Sequence, residues 1–266
     1  MPKTFLYKMQ NITIVKVGGK VVETPESLSE LLSDFVKIPG LKILVHGGGR
    51  SATKIAEKLG VETKMVEGRR ITDAETLDVV TMVYGGLVNK KIVASLQANG
   101  ANAIGLTGAD LNLIKAKKRP VKDIDYGFVG DVESVQVEEL TALLNQNVVP
   151  VIAPLTHDGQ GNMLNTNADT MASSLASALA PFFNVSLMYC FEKKGVLSNP
   201  NDDDAVISNL TKDLFKEYQQ SGVINEGMIP KLDNGFAALS KGVAKVIITN
   251  TQGIASNDGS GTILSN

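Results

Sequence analysis

Two glycine-rich stretches in the N-terminal half of the chain have residue types and spacing that suit the binding of an anion. In the first, the apolar run Ile12–Val17 leads into Lys16-Val17-Gly18-Gly19. In the second, Leu41–Val45 is followed by His46, by the three consecutive glycines Gly47–Gly49 and then by a helical pattern that ends at Gly60. The first amides of a helix have no partner within it, and glycines let a ligand approach the backbone. We therefore predict a phosphate site at these glycine turns.

Two lysines and one carboxylate supply the charges that such a site needs. Lys16 lies at the end of the first predicted strand, and Lys231 follows a proline at the start of a predicted helix, where its charge opposes the helix dipole. A lysine in that position indicates a bound anion. Asn167 is a predicted helix cap, so Asp169 falls in the first turn, while Asn165 stays in the preceding loop. This combination fits phosphoryl transfer, which depends on the placement of charge.

Other interpretations of the same residues stay open at this point. Gly47-Gly48-Gly49-Arg50-Ser51-Ala52 fits the dinucleotide pattern G-x-G-x-x-G/A, and Glu67 lies about 20 residues further on, where a ribose-binding acid is expected. The interpretation as a dinucleotide-dependent oxidoreductase, however, does not explain the glycines after Lys16 or the position of Lys231. No Walker motif closes either turn. His46 is either a strand-end residue bonded to backbone or a support for the glycine turn.

The composition is that of an ordinary soluble protein. Among 266 residues, 43% are hydrophobic and 20% are charged, and the net charge is −2, without the basic excess of a nucleic-acid binder. No nucleic acid is expected as a partner. The single cysteine, Cys190, lies in an apolar run and is predicted to be a core thiol. The sequence has no cluster of cysteines and histidines, so no zinc site is expected. Without a signal peptide or an apolar run of ~20 residues, the chain is predicted to be cytoplasmic, with no membrane partner.

Strand and helix patterns alternate along most of the chain. This alternation predicts an α/β protein built around a mainly parallel sheet. Alternating apolar and polar residues over Leu113–Val135 predict an antiparallel excursion from that sheet.

A long helix is predicted from Thr72 to Ala98, with Thr72 and Glu75 as a capping box. Its apolar residues occupy more than one face, and Gly85 and Gly86 lie in its middle. Each glycine weakens a helix by about 1 kcal/mol relative to alanine, which suggests that another backbone passes close. We therefore predict a homodimer formed through this helix, with Val83 at the interface.

Six motifs, taken together, are similar to those of a known family. They are Lys16-Val17-Gly18-Gly19, Val45-His46-Gly47-Gly48-Gly49, Gly68-Arg69-Arg70-Ile71-Thr72, Gly105-Leu106-Thr107-Gly108, Asn165-Thr166-Asn167-Ala168-Asp169 and Gly227-Met228-Ile229-Pro230-Lys231. In order and spacing they resemble the motifs of the amino acid kinases, and most closely those of the members that phosphorylate N-acetylglutamate in arginine biosynthesis. The resemblance runs from about Ile14 to Ile263.

The resemblance implies a fold and the substrate that each lobe binds. The fold would be a three-layer αβα sandwich around an open, mainly parallel sheet, as in carbamate kinase-like proteins, in one continuous domain with two lobes. Residues 1–164 would form the N-terminal lobe, which binds the acylated amino acid and makes the dimer. Residues 165–266 would form the C-terminal lobe, which binds ATP, with Mg²⁺ held through the nucleotide phosphates.

The resemblance also implies roles for individual residues. Lys16 and Lys231 would flank the phosphoryl group in transfer, and Asp169 would hold both lysines in position. Arg70 would grip the α-carboxylate of the acceptor, and Asn165 would bind near the same group. The glycines that would point amides at the phosphoryl group are Gly18, Gly19, Gly48 and Gly49. Gly48 and Gly49 would also contact the acceptor. The attacking side-chain carboxylate has an ordinary pKa of ~4.3, so no general base is required.

One turn departs from the family pattern. The nucleotide-side turn usually has Thr-Asp or Ser-Asp before its glycine, whereas this chain has Cys190-Phe191-Glu192-Lys193-Lys194-Gly195. Glu192 and Gly195 are accordingly the predicted nucleotide-binding residues. The acyl group stays open, since relatives are thought to use succinylglutamate as well as acetylglutamate. A non-catalytic sensor on the same fold is a second class of function, which the intact lysines and aspartate disfavour.

Overall fold

The computed structural model describes residues 10–66, 69–199, 201–224, 227–254 and 261–266. Glu67 and Gly68, named above, lie outside the described residues. The strands are β1 (Asn11–Val17), β2 (Leu41–His46), β3 (Met65–Val66), β4 (Arg69–Arg70), β5 (Ala103–Leu106), β6 (Ile114–Lys118), β7 (Gly130–Val135), β8 (Val149–Ile152), β9 (Leu155–His157), β10 (Met163–Asn165), β11 (Asn184–Cys190), β12 (Asn209–Thr211), β13 (Lys245–Thr249) and β14 (Thr262–Ser265). The helices are α1 (Gly19–Glu23), α2 (Pro25–Lys37), α3 (Gly49–Lys58), α4 (Ala74–Val80), α5 (Asn89–Ala98), α6 (Val137–Asn145), α7 (Ala168–Leu179), α8 (Lys212–Gln220) and α9 (Ile229–Ser240), with a π-helical segment at Thr81–Val88 and a 3-10 turn at Asp110–Asn112.

Eight strands form one open sheet in the order β12-β14-β13-β11-β1-β2-β8-β5. Neighbouring strands in it are parallel, except for β13 and β14, which run antiparallel. The central strand β1 is apolar and buried along nearly its whole length, as a parallel strand covered by helices on both faces must be. The predicted fold class, an αβα sandwich around a mainly parallel sheet, is confirmed.

Alternate side chains of the central strands point to opposite faces of the sheet. On β1, Ile12 and Ile14 belong to a core that includes the apolar faces of α6, α7, α8 and α9. Val15 and Val17 belong to a second core, which includes the apolar faces of α1 to α5. Lys16 alternates with Val15 and Val17 and therefore points to the side of α7. The next-to-last residue of this buried strand is thus a lysine that faces the start of a helix.

The long helix after β4 has its N-cap one residue later than predicted. Asp73 is that cap, and its side chain accepts the N–H of Thr76 at 2.8 Å. The predicted capping box of Thr72 and Glu75 is wrong. Thr72 is drawn into extended pairing, where its amide donates to a carbonyl of the loop before β7 at 2.9 Å. Its side chain is therefore held away from the first turn of the helix.

The middle of this helix, Thr81–Val88, has π-helical hydrogen bonding, a wider form that is uncommon in proteins. Both predicted mid-helix glycines lie in it. A methyl group placed on Gly85 would meet two side chains of the described residues, those of Leu155 and Thr107, each at an ordinary contact distance of 3.6 Å. A methyl group on Gly86 would meet open space. Among the described residues, no backbone atom from outside this helix lies within 4 Å of the Cβ position of either glycine.

The same helix has one face in the core and one face outside. Val83 is buried in the core, so its predicted place at a dimer interface is wrong. Met82 and Leu87, by contrast, are 55% and 41% exposed. By length and composition the helix Ala74–Ala98 could cross a membrane, although 44% of its apolar stretch is buried in the protein. Core helices of water-soluble proteins have the same properties.

A smaller sheet, in the order β10-β9-β6-β7, carries residues toward the start of α7. Its strands β6 and β7 are antiparallel, so the excursion predicted over Leu113–Val135 is confirmed. Strand β10 ends at Asn165, three residues before α7 begins at Ala168. The small sheet therefore delivers Asn165 and the cap of α7 to one place.

Candidate active site

Lys16, Asp169 and Lys231 lie together at the carboxyl end of β1. The ammonium group of Lys16 is 2.7 Å from Oδ1 of Asp169, and that of Lys231 is 3.6 Å from Oδ2. Lys16 and Asp169 are buried, whereas the side chain of Lys231 is 25% exposed. One buried carboxylate therefore bridges two cations that would otherwise repel each other.

The charge state of Asp169 follows from this arrangement. Burial alone would raise the pKa of its carboxyl group, but the charges of Lys16 and then Lys231 outweigh burial, and the pKa is lowered. Asp169 is therefore ionised at neutral pH. As predicted, Asn167 caps α7, and its side chain accepts the N–H groups of Asp169 and Thr170 at 2.9 and 3.0 Å. The cap keeps Asp169 in the first turn.

Tyr189 holds the backbone of this cluster and was not singled out from the sequence. It is in register with Lys16 on the neighbouring parallel strand, and its hydroxyl donates to the carbonyl of Asp169 at 3.2 Å. Burial, and then the charge of Asp169, raise the pKa of Tyr189 well above its usual range. Tyr189 is therefore a neutral donor that ties β11 to α7. A tyrosine inside an apolar run, where its hydroxyl needs a partner, is the signal that points to it.

The amides of the two glycine turns differ in what they bond. Gly18 donates to the carbonyl of Cys190 and Gly47 to that of Val17, each at 3.0 Å, so both amides extend the sheet. The amide expected from Gly18 is thus already bonded within the chain. Gly49, in contrast, is the first residue of α3, where amides have no partner inside the helix. In the second turn, the amides without a partner inside the helix are therefore those at the start of α3.

One glycine of the second turn, Gly48, is closely packed against a neighbouring ring. A Cβ on Gly48 would lie 3.0 Å from the ring of Tyr84, a buried residue of the π-helical segment. Gly19, the first residue of α1, has no such neighbour among the described residues. A side chain at Gly48 would therefore require the ring of Tyr84 to shift, whereas Gly19 leaves the backbone open to the space in front of it.

His46 supports the glycine turn through a buried chain of hydrogen bonds. Its Nε2 accepts from the amide of Asn89 at 3.2 Å, so its Nδ1 carries the proton and donates to the carbonyl of Gly47 at 2.7 Å. Asn89 also donates to the carbonyl of Val151 at 2.9 Å and accepts from Lys90 at 3.2 Å. Burial lowers the pKa of His46 to about 4, so the ring is neutral. Both interpretations of His46 therefore hold, because its backbone bond is to the turn itself.

Two cavities share the second glycine turn, Gly47–Gly49. Their volumes are 720 Å³ and 180 Å³. The larger cavity is lined by Lys16, Gly18, Gly19, Lys20, Glu192, Gly195, Ile224, Met228 and Lys231. The smaller cavity is lined by Arg69, Arg70, Tyr84, Arg119, Val129, Asn165 and Asn167. The two lysines thus face a large cavity, and the arginines face a small one, with the same three glycines between them.

Arg70 and Asn165 are fixed at the smaller cavity by neighbouring residues. Nη2 of Arg70 donates to the carbonyl of Gly49 and to the hydroxyl of Thr53, each at 2.8 Å, and Nη1 donates to the hydroxyl of Thr63 at 3.1 Å. The amide of Asn165 donates to a threonine hydroxyl at 3.0 Å. The guanidinium is therefore anchored to the first turn of α3, next to the glycines.

The turn after β11 forms part of the wall of the larger cavity. Oε1 of Glu192 is 3.9 Å from the ammonium group of Lys20, and both side chains are exposed. A Cβ on Gly195 would lie 2.7 Å from the hydroxyl of Thr262, so close packing requires glycine there. Cys190 is buried, and burial raises the pKa of its thiol to about 12, which confirms the predicted core thiol.

The fold and this site define a class of protein. Transfer of a phosphoryl group needs fixed positive charge and backbone donors rather than a covalent intermediate, and it needs room for a donor and an acceptor side by side. Two cations beside a shared glycine turn and two adjoining cavities meet these needs, so the class is a small-molecule phosphotransferase.

The sequence comparison identifies the family. Residues 11–250 match the amino acid kinase family, and the chain belongs to it, as its six motifs predict. Acetylglutamate kinase of Phocaeicola vulgatus is 64% identical over 255 residues, which are 96% of this chain and 98% of that relative.

Solved structures agree with the fold. The structure of smu.665 from Streptococcus mutans UA159 has a TM-score of 0.78 at 27% identity, over 96% of this chain and 98% of that one. Carbamate kinase from Giardia lamblia, bound to AMP-PNP, has a TM-score of 0.68 at 15% identity, over 96% of this chain and 98% of that one. At so low an identity the second likeness concerns the fold alone.

Proposed function

We propose that this enzyme transfers the γ-phosphoryl group of ATP to the side-chain carboxylate of N-acetyl-L-glutamate, forming N-acetyl-L-glutamyl 5-phosphate in arginine biosynthesis. The observation that carries the proposal is the cluster of Lys16, Asp169 and Lys231 beside the glycine turn that two cavities share. The 64% identity to an acetylglutamate kinase, across nearly the whole of both chains, supports the choice of acceptor.

In this proposal the two lysines are the catalytic cations. A phosphoryl group in flight carries negative charge on its oxygens, and cations that are already in place stabilise it without reorganisation. Asp169 positions both lysines, because each of its carboxylate oxygens faces one ammonium group. Lys16 comes from a buried strand, and Lys231 comes from the start of α9, so the two cations reach the phosphoryl group from different elements.

The attacking oxygen needs no general base. The acceptor carboxylate has an ordinary pKa of ~4.3 and is therefore ionised at neutral pH. His46 is the side chain at the turn that could in principle act as a general base, but its ring is fully buried and both of its nitrogens are engaged in hydrogen bonds. We assign His46 to support of the turn and not to proton transfer.

The acceptor is proposed to occupy the smaller cavity. Arg70 would pair with its α-carboxylate, and Asn165 would bind near the same group. Gly48 and Gly49 would contact the acceptor where the cavities meet, which brings its side-chain carboxylate toward the lysines. Ten of the fourteen residues that line this cavity belong to the predicted N-terminal lobe, residues 1–164, and the other four are the first residues of the predicted C-terminal lobe, 165–168.

ATP is proposed to occupy the larger cavity, next to the C-terminal lobe, residues 165–266. A volume of 720 Å³ lies within the range of ~300–1,000 Å³ that is typical of small-molecule sites. Gly19 would approach the phosphates, while Glu192 and Gly195 would line the nucleotide side. Gly18 would line the cavity without donating its amide, which is bonded to Cys190.

Mg²⁺ is proposed to be held mainly by the nucleotide. Mg²⁺ commonly binds one or two carboxylates together with substrate phosphates. Within the part of the chain that the structure describes, no three side chains of histidine, cysteine, aspartate or glutamate cluster to hold a metal ion. Both oxygens of Asp169 face lysines. When bound, Mg²⁺ would neutralise part of the phosphate charge.

The proposal is tested by measuring ATP consumption with four acceptors in parallel: N-acetyl-L-glutamate, N-succinyl-L-glutamate, glutamate and aspartate. We expect turnover with N-acetyl-L-glutamate, and we expect Lys16→Ala to lower kcat at least about a hundredfold. Lys37→Ala, which removes an exposed lysine on α2, is the matched control and should keep normal turnover. Turnover with N-succinyl-L-glutamate alone would mean that the acyl group of the acceptor is succinyl and not acetyl. No turnover with any acceptor would favour a non-catalytic sensor.

We further propose a homodimer formed through the outward face of the long helix. Met82 and Leu87 expose apolar surface there, and Gly86 between them faces open space. Exposed apolar side chains beside a glycine suit a close contact across a two-fold axis. The cytoplasm is the proposed setting, with small-molecule substrates and without nucleic acid or membrane partners.

A further inference from the structure

Arg119 is a residue of the smaller cavity with one polar group still unexplained. It directly follows β6, and its side chain is 20% exposed. Its Nε donates to the two carboxylate oxygens of Asp131 at 3.1 and 3.3 Å, and its Nη2 donates to Oδ1 at 2.5 Å. The third nitrogen, Nη1, is buried and has no hydrogen-bond acceptor among the described residues.

The surroundings hold this guanidinium in one orientation. Its carbon lies 5.5 Å from the centre of the Tyr126 ring, and Asp131 binds two of its three nitrogens. The backbone amide of Arg119 donates to the carbonyl of Val129 at 2.8 Å, and Val129 also lines the cavity. A guanidinium is planar, so fixing two nitrogens fixes the direction of the third. The guanidinium is therefore held in one orientation at the wall of the smaller cavity, and a ligand oxygen reaches the buried Nη1 when the side chains that cover it move aside.

A buried N–H donor without an acceptor is costly, so it calls for a partner in the occupied site. In the proposed function, the acceptor turns its side-chain carboxylate to the glycine turn and its α-carboxylate to Arg70. The oxygens that remain are those of the acyl group. Because Asp131 already neutralises the charge of Arg119, the free donor suits a neutral carbonyl oxygen as well as a carboxylate.

We propose that Arg119 is a specificity-determining residue that donates from Nη1 to an oxygen of the acyl group on the acceptor. The inference rests on the proposed function and extends it to the recognition of the acyl group. Through this bond the enzyme distinguishes an acylated glutamate from free glutamate. The oxygen is the amide carbonyl of an acetyl or succinyl group, or the terminal carboxylate of a succinyl group.

The test is the variant Arg119→Leu, assayed with N-acetylglutamate, N-succinylglutamate and glutamate. Loss of a hydrogen bond to a charged donor predicts a rise in KM for acylated acceptors of about ten- to hundredfold. KM for ATP and kcat at saturation should change little, because the bond is made in ground state and transition state alike. The preference in kcat/KM for acylated over free glutamate should fall by the same factor. An equal rise for both acyl groups indicates the carbonyl, and a larger rise for succinylglutamate indicates the carboxylate.

Two matched variants separate recognition from structure. Lys118→Leu removes the neighbouring cation, whose ammonium group lies 4.7 Å from the centre of the Phe128 ring, and it should leave the acyl preference unchanged. Asp131→Asn weakens the ion pair but keeps the donor, so it should affect the melting temperature more than the acyl preference. If Arg119→Leu does not fold, Arg119→Lys retains a charge beside Asp131 without the third nitrogen and should lose the same preference.

The outcomes distinguish this inference from the proposed function. A folded Arg119→Leu protein that keeps the wild-type preference for acylated glutamate overturns the role of Arg119 and leaves the kinase intact. If the wild type consumes ATP with no acylated acceptor, the proposed function fails, and calorimetric binding of N-acetylglutamate to wild type and Arg119→Leu then decides the role of Arg119. Equal binding to the two proteins overturns it, and weaker binding to the variant supports it.

Discussion

Substituting His46 should make the protein less sensitive to mild acid. The ring is fully buried, and burial, partly offset by the bond to the carbonyl of Gly47, lowers its pKa from 6.5 to about 4. In the unfolded chain the histidine has its ordinary pKa. Between these two values the unfolded state binds a proton that the folded state does not bind, so the free energy of unfolding falls as the pH falls.

The size of the effect follows from the two pKa values. The difference between 6.5 and about 4 corresponds to about 3 kcal/mol, all of which is lost below pH ~4. Between pH 7.5 and pH 5 the unfolded histidine becomes almost fully protonated while the folded one stays mostly neutral. Linkage then gives a loss of about 2 kcal/mol over that interval. Such a loss is a measurable fraction of a total stability of about 5–15 kcal/mol.

Urea unfolding at pH 7.5 and pH 5 measures this difference. From the higher to the lower pH, the wild type should lose about 2 kcal/mol more than His46→Gln, whose side chain cannot titrate. His157→Gln, which removes the other histidine, is the control and should keep the loss that we assign to His46. Protein concentration is held constant, because a dimer makes the apparent stability depend on it.

One result would refute this reasoning. If His46→Gln loses as much stability as the wild type between pH 7.5 and pH 5, His46 does not titrate across folding as its burial requires. The buried chain from Asn89 through His46 to the glycine turn would then need another description.

Three further predictions concern the site and the dimer. Asp169→Asn removes the charge that holds two lysines, so kcat should fall at least about a hundredfold while a melting curve shows folded protein. Arg70→Lys should raise KM for the acylated acceptor but not for ATP, because an ammonium group cannot keep the bonds to Gly49, Thr53 and Thr63 and also present a fixed N–H to a carboxylate, and the exposed Arg69→Lys is its control. Met82→Glu or Leu87→Glu should convert the dimer to a monomer in light scattering, because a charge would be placed in an apolar contact.

Each of these has an outcome that contradicts it. Soluble Asp169→Asn with near-normal kcat would leave Asp169 as a residue of the helix start and nothing more. Equal effects of the two arginine variants would mean that the acceptor binds elsewhere. Dimers that survive both glutamate substitutions would move the interface to a different surface.

The clustering of Lys16 and Asp169 was predictable because local rules act on each of them. Strand alternation decides the face to which Lys16 points, and the cap at Asn167 decides which residue occupies the first turn of α7. Parallel strands then bring their carboxyl ends to one edge of the sheet. The position of Lys231 follows in the same way from the proline that starts its helix.

Other features depend on contacts that no local rule contains. Thr72 has the right spacing for a capping box, but pairing with a loop more than fifty residues away takes it out of that role. Val83 lies in an apolar helix with no clear inner face in the sequence, and the π-helical segment changes which residues point outward. The hydrogen-bond partners of Asn89 and Arg119 come close only in the folded chain, so sequence spacing does not predict these contacts.

The two cavities are separated by a turn made of three glycines, Gly47–Gly49. A ligand that crosses from one cavity to the other therefore meets backbone at the turn rather than side chains. If ATP and the acceptor bind as proposed, an adenine nucleotide joined covalently to a glutamate derivative would occupy both cavities at once. Joining two ligands makes the second binding event intramolecular and can raise the overall affinity about 10²- to 10⁴-fold over either part. With the two ligands in the proposed cavities, the glycine turn leaves a path for a short linker in a bisubstrate inhibitor.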